Sequence, residues 1–271
     1  MKQIMEWRNS VPELEKIDCD LMLSHLFKCD RSFILAHPEK KIDESDLVTL
    51  NTWKDRLVSG EPIAYILGDK EFWSLSFHVN PSVLIPRPET ELLVELVSNM
   101  MQEGMQILDL GTGCGAIAIA LDIEAQSTGK TVEITASDIS LSALKVCEKN
   151  IIKHSSKIKL IKSNWFLDIH GTFDLIIINP PYISKYDPNL KHLKAEPKIA
   201  LESGDQGLDA IRNIVEQAPK YLKYNGCLLL EHGYNQGDNV KAILRDSGFT
   251  NILTKQDLSG IDRVTIASKK Y

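Results

Sequence analysis

The stretch DLIIINPPYIS, residues 174–184, is apolar through Leu175–Ile178 and then stops at Asn179-Pro180-Pro181-Tyr182. The two prolines fix φ and carry no N–H, so nearby backbone carbonyls are held facing one way. Asn179 adds a side-chain carbonyl beside them, and Tyr182 adds a flat aromatic face. Such a rigid cluster of acceptors suits a substrate bearing an NH₂ group. A planar amide or aryl amine is a poor nucleophile because its lone pair is delocalised. Two hydrogen bonds from its NH₂ to fixed acceptors orient the nitrogen and support the positive charge that it gains on attack. The bland alternative is a proline-stiffened turn.

A second motif stands upstream. ILDLGTGCGAIAIA passes from strand to helix through Gly111, Gly113 and Gly115, where a glycine backbone turns sharply and admits a ligand closely. The same letters satisfy the loose dinucleotide pattern G-x-G-x-x-A, so the loop alone implies a nucleotide-like cofactor or, equally, a tight turn. Asp138 follows Gly111 by 27 residues and closes the next strand. A carboxylate there can accept both hydroxyls of a ribose, or cap the helix that begins ISLSALKV. Trp165, in KSNWF, could lie on an adenine ring or simply pack. Charge separates the candidate cofactors: S-adenosylmethionine has a sulfonium and an amino group in place of a pyrophosphate, and both favour an acidic residue such as Asp109 near the loop.

These motifs need a scaffold that brings them together. From residue 105 the pattern alternates, with strands expected at 105–110, 132–137, 158–162, 173–178, 226–231, 251–255 and 262–267. Helices are expected around 116–124, 141–154, 208–222 and 237–247. Strand–helix alternation makes an α/β, Rossmann-like, mostly parallel and doubly wound sheet. The link QDLSGI is too short for a parallel crossover, so the last strand should run antiparallel. In such a sheet the first and fourth strands are neighbours, and ligands bind where their connections diverge. The glycine loop and NPPY therefore face one cleft, the arrangement for methyl transfer to nitrogen. In-line placement of the amine against a methyl can contribute roughly 7–11 kcal/mol of barrier reduction.

Ahead of this sheet, residues 1–70 read as helical, with Leu14, Ile17 and Leu21 at helical spacing and Leu47, Leu50 and Leu57 again, beside Trp53. Residues 71–86, EFWSLSFHVNPSVLIP, read as a short β-hairpin linker with a turn-like NPS, and residues 87–271 as the catalytic domain. Arg87 and Glu89, in IPRPETE, stand at a helix entry and should shape the cleft without performing chemistry.

Composition narrows the class. With 43% hydrophobic residues in 271, the chain can bury a large core, and a net charge of −6 argues against a non-specific nucleic-acid coat. Five scattered cysteines without a C-x-x-C pair fit reduced thiols in a cytoplasm. No apolar run approaches the roughly 18 residues that span a bilayer, and the N-terminal residues are too polar for a signal peptide. No histidine or cysteine cluster suggests a metal. A DNA adenine or ribosomal RNA amine methyltransferase would use the same NPPY logic on a base. It should carry a basic surface, whereas residues 1–80 hold 14 acidic against 10 basic side chains.

GEPIAYILGDKEFWSLSFHVNPSVLIPRPETELLVE (60–95), DLGTGCGAIAIA, NPPYI and LLLEHGYNQG together resemble the HemK-type release-factor glutamine methyltransferases, over essentially the whole chain. EPKIAL (196–201) is similar to a further segment of that family. The resemblance implies a seven-stranded S-adenosylmethionine-dependent methyltransferase fold behind a helical, substrate-docking N-terminal domain. It implies methylation of the side-chain amide in the Gly-Gly-Gln loop of peptide chain release factors, leaving S-adenosylhomocysteine. By the same resemblance Asp109, Gly111, Thr112, Gly113, Cys114, Gly115, Asp138, Trp165 and Asn179 would bind the donor. Asn179 to Tyr182 would hold the glutamine, with Asn179 and Pro180 at the reacting amide.

Overall fold

The computed structural model describes residues 1–269, which divide into two compact units, one ending at Asp69 and the other beginning at Lys70. In the first, helices Ile4–Asn9, Lys16–Phe27, Arg31–Ala36, Glu44–Val58 and Ile63–Leu67 surround a core of Trp7, Met22, Leu23, Ile34, Ile42 and Leu50. The helix Glu44–Val58 is capped by the Asp43 side chain, which accepts the Asp46 N–H at 2.8 Å, an N-cap bond. The helix Lys16–Phe27 turns a different face inward than the spacing of Leu14, Ile17 and Leu21 suggests. Cys19, Asp20, Met22 and Leu23 are buried, while Ile17 and Leu21 are exposed and Leu14 precedes the helix. A charge accounts for this: the Asp20 carboxylate is fully buried against Arg8 at 2.9 Å and Arg31 at 3.0 Å. A buried carboxylate must keep such partners, and they fix the rotation of the helix.

A hairpin of strands Asp69–Phe72 and Leu75–His78, all but its first residue in the second unit, comes next. Its turn is Trp73-Ser74, both at positive φ as a two-residue hairpin loop requires. Asn80-Pro81-Ser82 forms a separate turn, with the Asn80 side chain accepting the Ser82 N–H at 2.9 Å. No strand follows in 79–86.

Seven strands then make one sheet: β1 (Gln106–Leu110), β2 (Glu133–Asp138), β3 (Lys159–Lys162), β4 (Phe173–Ile178), β5 (Leu222–Glu231), β6 (Phe249–Gln256) and β7 (Asp262–Lys269). Their order is β6-β7-β5-β4-β1-β2-β3, parallel except that β7 runs antiparallel to both neighbours. The chain order reverses between β1 and β4, which pair in parallel with Leu110 opposite Ile178. Both strands end there, so the glycine loop and NPPY leave the sheet side by side. Helix α1 (Glu91–Met100) precedes β1, and helices α2 (Ala116–Ser127), α3 (Leu141–His154), α4 (Asp209–Gln217) and α5 (Gly237–Asp246) lie in the crossovers β1–β2, β2–β3, β4–β5 and β5–β6. Leu108, Leu110, Ile176, Ile178, Leu228 and Leu230 form one sheet face and pack on α4 and α5 through Ile211, Val215, Val240 and Leu244. The sheet is covered on both faces, which is why β4 carries the continuous apolar run Leu175–Ile178.

Candidate active site

At the carboxyl ends of β1, β2 and β4 lies a cavity of about 460 Å³, a size that suits a nucleoside-like ligand. Gly111, Gly113, Asp138, Trp165, Asn179 and Pro181 are among the residues lining it. Gly111 and Gly113 both hold positive φ, and a Cβ at Gly113 would meet nothing within 4 Å. Trp165 also has positive φ, and its carbonyl accepts the Ser163 hydroxyl at 2.8 Å. Its ring edge stands 3.6 Å from where a Gly111 Cβ would be.

Asp138 binds the loop with both oxygens. Oδ2 accepts the Gly113 N–H at 2.9 Å and Oδ1 accepts the Ser140 N–H at 2.8 Å. Each oxygen keeps a further lone pair for a ligand hydroxyl. The helix cap that Asp138 could have provided belongs to Ser140, whose hydroxyl accepts the Ala143 N–H at 3.2 Å. Burial raises the Asp138 pKa above the usual carboxylate range, against the opposing effect of the Ser140 and Gly113 N–H groups.

The remaining loop residues lie behind the cavity. Asp109 is buried and accepts the Thr112 hydroxyl at 2.6 Å, while its Oδ1 has no partner among the described residues. Burial pushes its pKa up to about 7, Thr112 opposes that, and the Asp138 charge adds to it. Cys114 is buried, and its carbonyl accepts Asn150 Nδ2 at 2.8 Å. Asn150, on α3, also bonds His78 N–H at 2.7 Å and His78 O at 3.0 Å, tying hairpin to loop. A Cβ at Gly115 would stand 2.5 Å from Cys147 Sγ, so this glycine serves close helix packing.

A second cavity, about 340 Å³, adjoins the other side of NPPY and is lined by Arg87, Glu89, Pro180, Tyr182, Glu231 and Arg263 among others. Asn179 lines both cavities. Its Nδ2 donates to Thr90 Oγ1 at 3.0 Å, which commits the NH₂ end and leaves the carbonyl oxygen as acceptor for the cleft. The Tyr182 hydroxyl donates to Glu231 Oε1 at 3.1 Å. Burial foremost, and then the Glu231 charge, pushes the Tyr182 pKa above its ordinary value. Burial also pushes the Glu231 pKa up to about 7, against the opposing hydroxyls of Thr90 and Tyr182. The Tyr182 carbonyl is held by Gln236 Nε2 at 3.0 Å, and Gln236 also reaches the Gln206 and Gly207 carbonyls. Glu196 accepts the Ile85 N–H at 3.1 Å and pairs with Arg87, so the EPKIAL segment braces the IPRPETE loop.

The sequence relates the chain to known proteins along its whole length. Residues 88–254 match the methyltransferase small domain, and residues 9–68 match the PrmC N-terminal domain. The release factor glutamine methyltransferase of Coxiella burnetii is 40% identical over 99% of this chain and 97% of its own length. That of Vibrio cholerae is 43% identical over 94% of this chain and 90% of its own.

This chain belongs to the release factor glutamine methyltransferase family. It is a methyltransferase by that membership, and solved structures agree on the fold. A Pyrococcus furiosus methyltransferase superposes with a TM-score of 0.56 at 18% identity, over 82% of this chain and all of that one. A T. thermophilus 16S rRNA N2 G1207 methyltransferase, solved with AdoMet and guanosine, gives 0.55 at 20% identity, over 74% of this chain and 50% of that one.

Of the residues that the sequence singled out, Gly111, Gly113, Asp138, Trp165 and Asn179 line the first cavity, and Asn179, Pro180 and Tyr182 line the second; Pro181, expected with the substrate residues, lines the first cavity instead. Sequence reasoning gave no role to Thr90, Asn150, Glu196, Glu231 or Gln236, which hold those groups from other elements. LLLEHGYNQG and EPKIAL carried the only signal for three of them. No helix among the described residues is long and apolar enough to cross a membrane.

Proposed function

We propose that this protein transfers the methyl group of S-adenosylmethionine to the side-chain amide nitrogen of the glutamine in the Gly-Gly-Gln motif of peptide chain release factors. The observation that carries the reading is Asn179, a fixed acceptor standing between a nucleoside-sized cavity and a second, polar one. The residues of the first cavity fit the donor. Asp138 keeps one lone pair per oxygen for ribose hydroxyls, Trp165 offers a ring face, and Gly111 and Gly113 leave the wall free of side chains. Asp109, with an orphaned oxygen behind the loop, supplies negative potential toward a cation once it is ionised, which a bound sulfonium or ammonium group favours. A bound donor supplies an electrophilic methyl on a sulfonium.

In the second cavity the Asn179 side-chain carbonyl and the Pro180 backbone carbonyl accept the two N–H bonds of the glutamine amide, and Tyr182 lies along its plane. Pro181 lies on the wall of the first cavity and acts by stiffening the loop. Held this way, the amide nitrogen directs its lone pair toward the first cavity, and both acceptors gain strength as the nitrogen becomes positive. One proton then leaves for solvent and the other stays on the methylated amide, so no strong base is needed. Arg87 and Glu89 shape the second cavity. The helical unit is assigned to docking the protein substrate.

The test is a labelled donor offered separately with release factor, DNA and ribosomes. Label should appear on the release-factor glutamine, and replacing that glutamine by glutamate should abolish it. Asn179→Ala should lower turnover by about 10²–10³ while the donor still binds, as for loss of other preorganised hydrogen-bonding groups. A methyl group found on a nucleobase, or on another side chain of the release factor, would overturn the reading.

A further inference from the structure

The two prolines of NPPY carry no N–H, so the loop has few bonds of its own and its far end must be held from elsewhere. Three carbonyl oxygens, those of Tyr182, Gln206 and Gly207, converge on one nitrogen, Gln236 Nε2, at 3.0, 3.2 and 3.3 Å. Gln236 is buried in the turn between β5 and α5. Its surroundings decide which end of its amide faces the three oxygens. Oε1 accepts the Gly233 N–H at 2.8 Å, and the Gln236 backbone N–H donates to the Gly233 carbonyl at 2.9 Å. The amide oxygen is committed there, and the NH₂ is turned to the carbonyls. Contact on that side is close: a Cβ at Gly207 would collide with the Tyr182 carbonyl and stand 2.9 Å from Gln236 Nε2.

Tyr182 lines the second cavity, and Ser203, Gly204, Asp209 and Ala210, on either side of Gln206 and Gly207, line the first; Gln236 itself lines neither. Ile183, next after Tyr182, bonds the Leu201 carbonyl and the Ser203 N–H at 2.9 Å each, which pairs the two segments with one another. Gln236 ties that pair to the turn after β5. Without its NH₂ three carbonyl dipoles would point oxygen to oxygen, and the segments that carry them would move off the turn. Tyr182 would then shift against Asn179, which stays at the end of β4. Misplacement of about 1 Å, caused far from the chemistry, can cost on the order of 10²-fold in rate. We propose that Gln236 is a positioning residue for methyl transfer: it anchors Tyr182 and so holds the substrate amine in line with the donor methyl, touching neither ligand. The proposal rests on the proposed function in one respect, that the donor occupies the first cavity and the amine the second.

The experiment first asks which of release factor, DNA and ribosomal RNA the unaltered protein methylates, and uses whichever accepts label. The proposed substrate can thus fail while the positioning is still tested. Gln236→Met keeps the length of the side chain and removes both ends of the amide. Gln236→Glu keeps the acceptor for Gly233 and removes the donor. Each should lower kcat by at least about tenfold, with substrate KM and donor affinity, read by calorimetry, within about threefold of the parent. Donor affinity is spared because the glycine loop and Asp138 make no bond to Gln236. Ile243→Ala, in the buried face of α5, loosens the same helix without touching the amide and should keep parental kcat. A substrate-free reading accompanies the kinetics. In protein carrying ¹³C at its tyrosine carbonyls, the Tyr182 signal, assigned by its loss in Tyr182→Phe, should move in both Gln236 variants and hold its place in Ile243→Ala. Folded Gln236→Met protein with parental kcat, or with an unmoved Tyr182 signal, would overturn the proposal. So would an equal loss of kcat in Ile243→Ala, which would mean general loosening of α5, or a loss confined to KM or donor affinity, which would mean binding in place of alignment.

Discussion

Two glycines two residues apart, Gly113 and Gly115, should respond to the same substitution in opposite ways. Both hold positive φ, +57° and +86°, so alanine at either costs about 1–2 kcal/mol of backbone strain. At Gly113 that is the whole structural cost, because the added methyl meets nothing within 4 Å. Gly113 lines the first cavity, so the methyl takes space that the donor needs. At Gly115 the methyl would stand 2.5 Å from Cys147 Sγ and 3.0 Å from Ile119 Cδ1, both in buried side chains. Overpacking of that kind typically adds about 1–3 kcal/mol. Gly115→Ala should therefore lose about 2–5 kcal/mol in urea unfolding, the sum of strain and overpacking, and the part of it that remains folded should bind donor nearly normally. Gly113→Ala should lose no more than about 2 kcal/mol, yet bind donor at least tenfold more weakly by calorimetry. Equal destabilisation in the two variants, or normal donor affinity in Gly113→Ala, would refute the division of this loop into a ligand-facing and a packing half.

Other perturbations follow from the same geometry. Asp138→Asn must turn an NH₂ toward either the Gly113 or the Ser140 N–H, and it also loses a charge-assisted bond worth about 1.5–3 kcal/mol; donor affinity should fall by at least tenfold, and calorimetry showing no change would remove Asp138 from the site. The Asp109 pKa is pushed up to about 7, so the folded protein holds this proton more tightly than the unfolded chain does. That contribution to stability, on the order of 4 kcal/mol, is full below about pH 4 and lost as pH rises toward 7. Asp109→Asn should accordingly gain stability relative to the parent at pH 8 compared with pH 5, and a difference that does not change with pH would contradict the assignment. In the first unit, Asp20→Ala removes the buried partner of Arg8 and of the half-exposed Arg31 and should destabilise by about 1–3 kcal/mol, read from unfolding of the full chain.

The order of elements in the second unit was legible because strand and helix periods alternate through most of it, and because QDLSGI is too short to cross over. Strand ends were less so. β5 begins at Leu222, four residues before the apolar run GCLLLE, because Lys223–Asn225 are polar residues on an exposed strand end. The first unit read correctly as helical but its inward face did not, since periodicity counts apolar residues and Asp20 is a charge. Its partners Arg8 and Arg31 come from other segments, and no local pattern announces a carboxylate that is neutralised at a distance.

The candidate site divides along the same line. Residues that chemistry demands at one point in the chain, the acceptor run 179–182 and the acid at the end of β2, could be found because type and spacing coincide. The glycine loop was harder to resolve, for its three glycines look alike in sequence and differ only in what stands opposite each: open cavity at Gly113, the edge of Trp165 at Gly111, Cys147 at Gly115. Thr90, Glu231 and Gln236 were out of reach for a further reason. They act on NPPY across gaps of 89, 49 and 54 residues, through hydrogen bonds that exist only once the entry to α1, the end of β5 and the turn before α5 have folded against it. A proline-stiffened loop lacks the N–H groups that would let it bond to itself, so its orientation has to come from its surroundings. Rigidity is encoded locally at 179–182, and direction is supplied by residues from distant parts of the chain.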